Sequence, residues 1–254
     1  MESSEAEKKC TRSACARRPL VCLFDSGIGG INLLIECERR IPQADYIYFA
    51  DNYNVPYGNL SEKKISELVF SVFDKISAVH PSAAVVACNT VTANCVKALR
   101  AKYPFPVLGI EPAVKQASEY GGNFLVLATE ATCKSAAFGS LISKYGSRAT
   151  VFPCRNLANK IEQNIFSPEL ENIALTLPKG NFDSVVLGCT HYIFIEKYIK
   201  KLYNCKIFDG MAGTADHLRS ILGIDDHFSS QNVEISFFCG DFAKNRTVYE
   251  KFKQ

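Results

Sequence analysis

The sequence predicts an α/β protein built as two similar domains, each a mainly parallel sheet flanked by helices, with the active site in the cleft between them. Three observations carry that reading. Short apolar, strand-like runs alternate with helical patterns along the chain. The alternation restarts near Asn123, as though one α/β unit had been duplicated. Two near-matching segments, Val85-Val86-Ala87-Cys88-Asn89-Thr90 and Val185-Val186-Leu187-Gly188-Cys189-Thr190-His191, each run a strand pattern into a cysteine. Ligands of open α/β sheets bind beyond the carboxyl ends of the strands. Two such ends, each carrying a thiol, suggest half-sites facing one substrate.

In order, residues 1–18 are polar and lack periodicity, which predicts an extension outside the folded core. A strand over 20–24 runs into Asp25-Ser26-Gly27-Ile28-Gly29-Gly30 and a helix over 31–40. The glycines there expose backbone N–H groups at a helix start, a weak anion-cradle signal that is not the dinucleotide fingerprint. The strand over 46–50 ends in a turn-rich loop through Pro56-Tyr57-Gly58, and Ser61 is placed to cap a helix with an apolar face of Ile65, Leu68, Val69, Val72, Phe73 and Ile76. A strand over 83–87, a helix to about 102 and a strand over 107–110 complete the first set. The second has a strand over 124–128, a helix to 145, a strand near 150–152, a helix carrying Glu162, a short helix near 169–176 and the Val185 strand. Strands over 206–208 and 234–238 bracket a helix from about 212, and a helix over 242–252 ends the chain; these tail elements are expected to return to the first domain. The division is therefore 19–110 plus 208–254 around Cys88 and 111–207 around Cys189, with hinges near Glu111 and Phe208.

Composition narrows the function classes. The chain has 254 residues, 47% hydrophobic and 22% charged, which suits a soluble globular protein. A net charge of +3 with no long basic block gives no indication of nucleic acid. No apolar run reaches the roughly 18 residues of a membrane span. Eleven cysteines could suggest disulfides, but the count is odd and Cys22, Cys88 and Cys189 sit in or beside apolar strand patterns. The expectation is a reduced, cytoplasmic protein with free thiols. The absence of a Cys-x-x-Cys pair and the scatter of the four histidines argue against zinc.

A cysteine at a strand end and helix N-terminus has its thiolate favoured by the helix dipole and by nearby N–H groups. One such cysteine would suggest covalent chemistry. Two at equivalent places suggest an acid and a base facing opposite sides of one carbon, which suits a racemisation. No lysine is marked for a Schiff base, so a pyridoxal mechanism is not indicated.

Six segments, in order, carry a close resemblance: Phe24-Asp25-Ser26-Gly27-Ile28-Gly29-Gly30; Ala50-Asp51 with Pro56-Tyr57-Gly58; Val86-Ala87-Cys88-Asn89-Thr90; Gly109-Ile110-Glu111-Pro112-Ala113; Ala128-Thr129-Glu130-Ala131-Thr132; and Leu187-Gly188-Cys189-Thr190-His191-Tyr192. From about Val21 to the C-terminus the chain resembles the glutamate racemases, cofactor-independent enzymes that supply D-glutamate for peptidoglycan. The resemblance implies that Cys88 deprotonates D-glutamate and Cys189 deprotonates L-glutamate. It implies that Asp25 assists the first thiol, and that Glu162 and His191 assist the second. Asp25, Ser26, Tyr57, Gly58, Asn89, Thr90, Thr190 and His191, with the two cysteines, are the implied substrate-binding positions. It implies no cofactor, and L- and D-glutamate as small-molecule partners; no metal is expected, and a homodimer is a candidate assembly that the sequence does not decide.

Four positions depart from the family pattern. Val91-Thr92 stands where Ala-Ser is usual, Ile193 where Pro is usual, and Gly210 where Ser is usual. They bear on rate and fine specificity and leave every reactive group in place. Alternatives stay open at this point: an aspartate or hydantoin racemase, a non-catalytic amino-acid-binding relative, or a thiol redox or hydrolytic protein.

Overall fold

The computed structural model describes residues 18–224 and 233–253. The polar segment before Arg18 lies outside them. Arg18 itself is anchored, its Nε donating to Asp45 Oδ1 at 2.8 Å and its guanidinium to the carbonyls of Pro42 and Ala44.

The first lobe contains β1 (Leu20–Asp25), α1 (Ile31–Arg40), β2 (Asp45–Ala50), α2 (Glu62–Ala78), β3 (Ala83–Val86), α3 (Asn89–Lys102) and β4 (Val107–Gly109). The second contains α4 (Val114–Tyr120), β5 (Phe124–Ala128), α5 (Glu130–Lys134), α6 (Ala136–Tyr145), β6 (Ala149–Pro153), α7 (Leu157–Asn164), α8 (Leu170–Ala174), β7 (Ser184–Gly188), α9 (Glu196–Tyr203) and β8 (Lys206–Phe208). The chain then supplies α10 (Met211–Leu222), β9 (Ile235–Phe238) and α11 (Phe242–Phe252), and β9 pairs with β2 of the first sheet.

Both sheets are parallel throughout, in the orders β4-β3-β1-β2-β9 and β6-β5-β7-β8. Taken from the other edge, β8-β7-β5-β6 repeats the β4-β3-β1-β2 arrangement, so the two lobes share one winding. Helices cover both faces of such sheets, which is why the central strands β3, β5 and β7 are buried along their whole length and read as continuous apolar runs. One hydrophobic cluster runs through both lobes, joining Leu23 and Val85 to Leu127 and Val185, while separate clusters fill the outer face of each. A Cβ on Gly210 would run into the Glu111 carbonyl, so the two connections between lobes lie side by side.

Two local expectations need correction. The helix expected to reach Tyr145 unbroken is divided at Ser135, whose hydroxyl donates to the Thr132 carbonyl at 2.8 Å and accepts the Phe138 N–H at 3.2 Å. A serine that ends one helix and caps the next favours two short helices over one long one. Cys189 leads into a 3-10 turn, Thr190–Ile195, before α9, whereas Cys88 leads directly into α3. The two half-sites thus match in their strands and differ in the helical element after each cysteine. Among the described residues no helix is long and apolar enough to cross a membrane, and nine cysteines are free thiols.

Candidate active site

In each sheet the winding reverses beside its first strand, and the crevice opened there is the binding position of this fold class. In the first sheet the reversal lies between β1 and β3, from whose carboxyl ends emerge Asp25-Ser26 and Cys88. In the second it lies between β5 and β7, which deliver Thr129 and Cys189. The repeated winding thereby places the two cysteines at equivalent points, 6% and 7% exposed.

Around Cys88 the partners come from its own lobe and from across the cleft. Ser26 Oγ lies 3.6 Å from Cys88 Sγ. Asp25 is fully buried. Its Oδ1 accepts the Gly27 N–H at 2.8 Å, a local turn typical of aspartate, and its Oδ2 accepts the Thr190 hydroxyl at 3.1 Å. Burial and then the Asp25 charge push the Cys88 thiol up to about 12, offset only in part by the Val91 N–H and Ser26. The easing expected from the helix N-terminus is therefore present and outweighed, and the Cys88 thiol is neutral in this closed cleft. Burial also lifts the Asp25 carboxyl, against the pull of His191 and of the Gly27 and Thr190 hydrogen bonds.

Around Cys189 the arrangement is a relay. His191 Nδ1 lies 3.9 Å from Cys189 Sγ, and His191 Nε2 lies 2.8 Å from Glu162 Oε2. Leu157, Ala158 and Ile161 of α7 share the buried side of the helix with Glu162 and carry the carboxylate inside, where it is 3% exposed. There Oε2 also accepts the Ile28 N–H at 2.9 Å, and Oε1 accepts Lys244 Nζ at 2.7 Å and Asn52 Nδ2 at 3.3 Å. Burial opposes the charge, but His191, the Ile28 N–H and Lys244 outweigh it and bring the Glu162 carboxyl down to about 2. Burial opposes charge on His191 as well, yet Cys189 and Glu162 hold it well above the usual histidine range.

The glycine turn takes on a physical role here. The Ile28 N–H of the turn meets the Glu162 carboxylate of the opposite lobe. A Cβ on Gly27 would meet Glu162 Oε2, and one on Gly29 would meet Thr190 Oγ1 and His191 Nδ1. These glycines permit close approach of the two lobes, and neither needs a left-handed backbone.

The structure also places the remaining expected residues. Tyr57 is buried, and its hydroxyl donates to Asp51 Oδ2 at 2.6 Å. Gly58 lies against Thr129, again across the cleft. Asn89 is buried, its amide donating to the Ile110 carbonyl at 3.3 Å. Thr90 Oγ1 meets Thr129 Oγ1 at 2.9 Å and Thr132 Oγ1 at 3.4 Å, a buried cluster of three hydroxyls. Sequence reasoning does not count Thr129 and Thr132 as site residues, although their place as the counterpart of the Asp25-Ser26 turn is a signal that could have found them. Lys244 and Asn52 carry no such signal. A cavity of about 510 Å³ between α3 and α6 borders the cleft through Asn89 and Thr132, but neither thiol lines it.

Against known proteins, the family model described as Asp/Glu/Hydantoin racemase matches residues 32–218. A glutamate racemase of Clostridium botulinum (strain Alaska E43 / Type E3) is 38% identical over 208 residues, covering 77% of this chain and 81% of that one. Glutamate racemase 2 of Bacillus subtilis is 34% identical over 246 residues, covering 91% and 92%. Among solved structures, the Escherichia coli glutamate racemase in complex with L-glutamate and the activator UDP-MurNAc-Ala superposes with a TM-score of 0.78 at 28% identity, over 93% of this chain and 95% of that one. The Francisella tularensis glutamate racemase in complex with D-glutamate superposes with a TM-score of 0.76 at 27% identity, over 93% and 94%. By sequence over most of its length and by fold, the chain belongs to the Asp/Glu/hydantoin racemase family of enzymes.

Proposed function

We propose that the chain interconverts L- and D-glutamate by two-base proton transfer, with Cys88 and Cys189 as the acid and base on opposite faces of Cα. The observation that carries the reading is the pair of buried thiols at equivalent strand ends, the first near the Asp25 charge and the second beside the His191–Glu162 pair. One thiolate takes the α-proton, and the electron pair of the broken C–H bond stays on Cα. The opposite thiol gives its proton to the other face, so the configuration inverts and no atom is gained or lost. A Cys88 thiol held neutral is the acid member in the resting cleft, the state that suits L-glutamate. His191 stands where a thiolate on Cys189 needs its counter-charge, and Glu162 holds the imidazole in place. Asp25 acts on the first thiol in the opposite sense: its charge helps keep Cys88 protonated, as the acid member. Ser26, Tyr57, Gly58, Asn89, Thr90 and Thr190 surround the substrate with hydroxyl and backbone donors suited to a zwitterion with a second carboxylate.

The relatives named as glutamate racemases support glutamate over aspartate or hydantoins; a cytoplasmic setting and a product destined for peptidoglycan complete the proposal. The adjacent crossings near Glu111 and Phe208 would serve as hinges for substrate entry, between domains bounded at 19–110 plus 208–254 and 111–207. A homodimer is the assembly we propose to test by sedimentation. The chemistry is tested with Cys88→Ser and Cys189→Ser, assayed with both enantiomers and by calorimetric binding of D-glutamate. Each variant is expected to lose racemisation while binding persists. Unchanged racemisation by either would overturn the two-thiol mechanism.

A further inference from the structure

Lys244, on the first turn of α11, reaches the second half-site from the far end of the sequence. Its Nζ donates to Glu162 Oε1 at 2.7 Å and to the Glu162 backbone carbonyl at 2.9 Å. Two bonds to one residue fix both the ammonium and the carboxylate. The backbone of Lys244 is held in turn, since Asp241 Oδ1 caps α11 by accepting the Lys244 N–H at 3.0 Å. Asn52 Oδ1 accepts the Asp241 N–H at 3.1 Å and the Asn245 amide at 3.0 Å, and Asn52 Nδ2 faces Glu162 Oε1 at 3.3 Å. One network therefore runs from the start of the C-terminal helix to Glu162, and through it to His191 and Cys189.

We infer that Lys244 is a positioning residue for the second half-site: it satisfies the Glu162 carboxylate, so that the charge of His191 is left for a thiolate on Cys189. The inference rests on the reading of Cys189 as a working thiol assisted by Glu162 and His191. The physical argument is a charge balance in a water-poor site. The groups facing Glu162 are His191 from the 3-10 turn, the Ile28 N–H and nearby Asp25 from the glycine turn, Asn52 from the loop after β2, and Lys244 from α11. With Lys244 in place, a thiolate at Cys189 and the Glu162 carboxylate face two cations. Without it, both anions compete for one imidazolium, and forming the thiolate leaves an unbalanced buried charge.

The test is a double-mutant cycle in the full-length protein with Lys244→Met, Glu162→Gln and the double variant. The readouts are kcat and KM for both enantiomers, the pH profile of kcat/KM, and a circular-dichroism melt. Lys244→Met is expected to lower kcat by about 10- to 100-fold with KM nearly unchanged, and Lys244→Arg to recover most of it. Its acid limb should move to higher pH, because loss of the cation lets Glu162 take up a proton sooner. In the Glu162→Gln background, adding Lys244→Met should cost less than about twofold. Wild-type kcat and acid limb in Lys244→Met, beside a crippled Glu162→Gln, overturn the inference. So does an equal loss from Lys244→Met in both backgrounds, which would place its action elsewhere. Full racemisation by Glu162→Gln instead removes the reading of the half-site on which the inference rests. If Lys244→Met melts below the assay temperature, Lys244→Gln carries the same cycle, and wild-type kinetics from it overturn the inference equally.

Discussion

Replacing Glu162 with Gln keeps the shape of a buried side chain and removes its charge, so the variant reads the electrostatic support of the relay as stability. The carboxyl has an ordinary value of 4.5 and sits at about 2 in the fold. At about 1.4 kcal/mol per tenfold in proton affinity, that difference is worth about 3 kcal/mol, shared with His191 and counted once. The sign comes from a folded value below the unfolded one: the contribution is complete above about 4.5 and is lost as pH falls toward 2. About 2 kcal/mol of it should be gone by pH 3. His191 works in the opposite sense. Its raised value adds stability that is present below its unfolded value and is lost as pH rises through its folded one. Urea unfolding of wild type and Glu162→Gln at pH 7, 5, 4 and 3, with matched denaturant slopes, measures the difference directly. The gap between the proteins should narrow by about 2 kcal/mol from pH 7 to pH 3. A gap that stays constant with pH would refute the reasoning, since packing alone would then account for it.

The same geometry makes two further predictions. Gly29→Ala drives a methyl group toward Thr190 and His191; it should cost about 1–3 kcal/mol in stability. Because the opposite lobe must back away, kcat/KM should fall by about 100-fold, read against the melting temperature. The Cys88 thiol is buried and protonated at neutral pH, so iodoacetamide at pH 7.5 should label half-buried Cys133, Cys205 and Cys239 well before it, as followed by peptide mass spectrometry. Rapid, selective alkylation of Cys88 would contradict a buried, neutral thiol.

Much of the architecture is legible in the sequence because parallel strands covered on both faces leave continuous apolar runs, and their ends are marked by polar or glycine residues. That is how β5 (Phe124–Ala128) and α11 (Phe242–Phe252) can be placed to the residue. Asp25, Cys88, Cys189 and His191 are legible because Asp25 ends a strand and the other three lie within three residues of a strand end. Glu162 lies inside a helix and is placed by the family pattern alone. Its surroundings are not legible. The Ile28 N–H, Asn52 and Lys244 reach it from three distant segments, and only the closed cleft brings them together. The break at Ser135 and the 3-10 turn after Cys189 escape prediction because each depends on local hydrogen bonds that helical periodicity does not encode. The glycine turn reads in sequence as a cradle for a ligand anion, and its Gly27 and Ile28 N–H groups meet the protein's own Asp25 and Glu162 carboxylates.

The central claim, proton transfer between two thiols across one Cα, is tested most directly by incubating the protein with D-glutamate in D2O without added cofactor. The α-proton is followed by NMR and the enantiomers by chiral chromatography. The account predicts that L-glutamate appears and carries deuterium at Cα, because the proton removed from one face is not the one returned to the other. Appearance of L-glutamate that retains its α-proton would contradict the two-base route, and no change in either observable would contradict the assignment of glutamate as substrate.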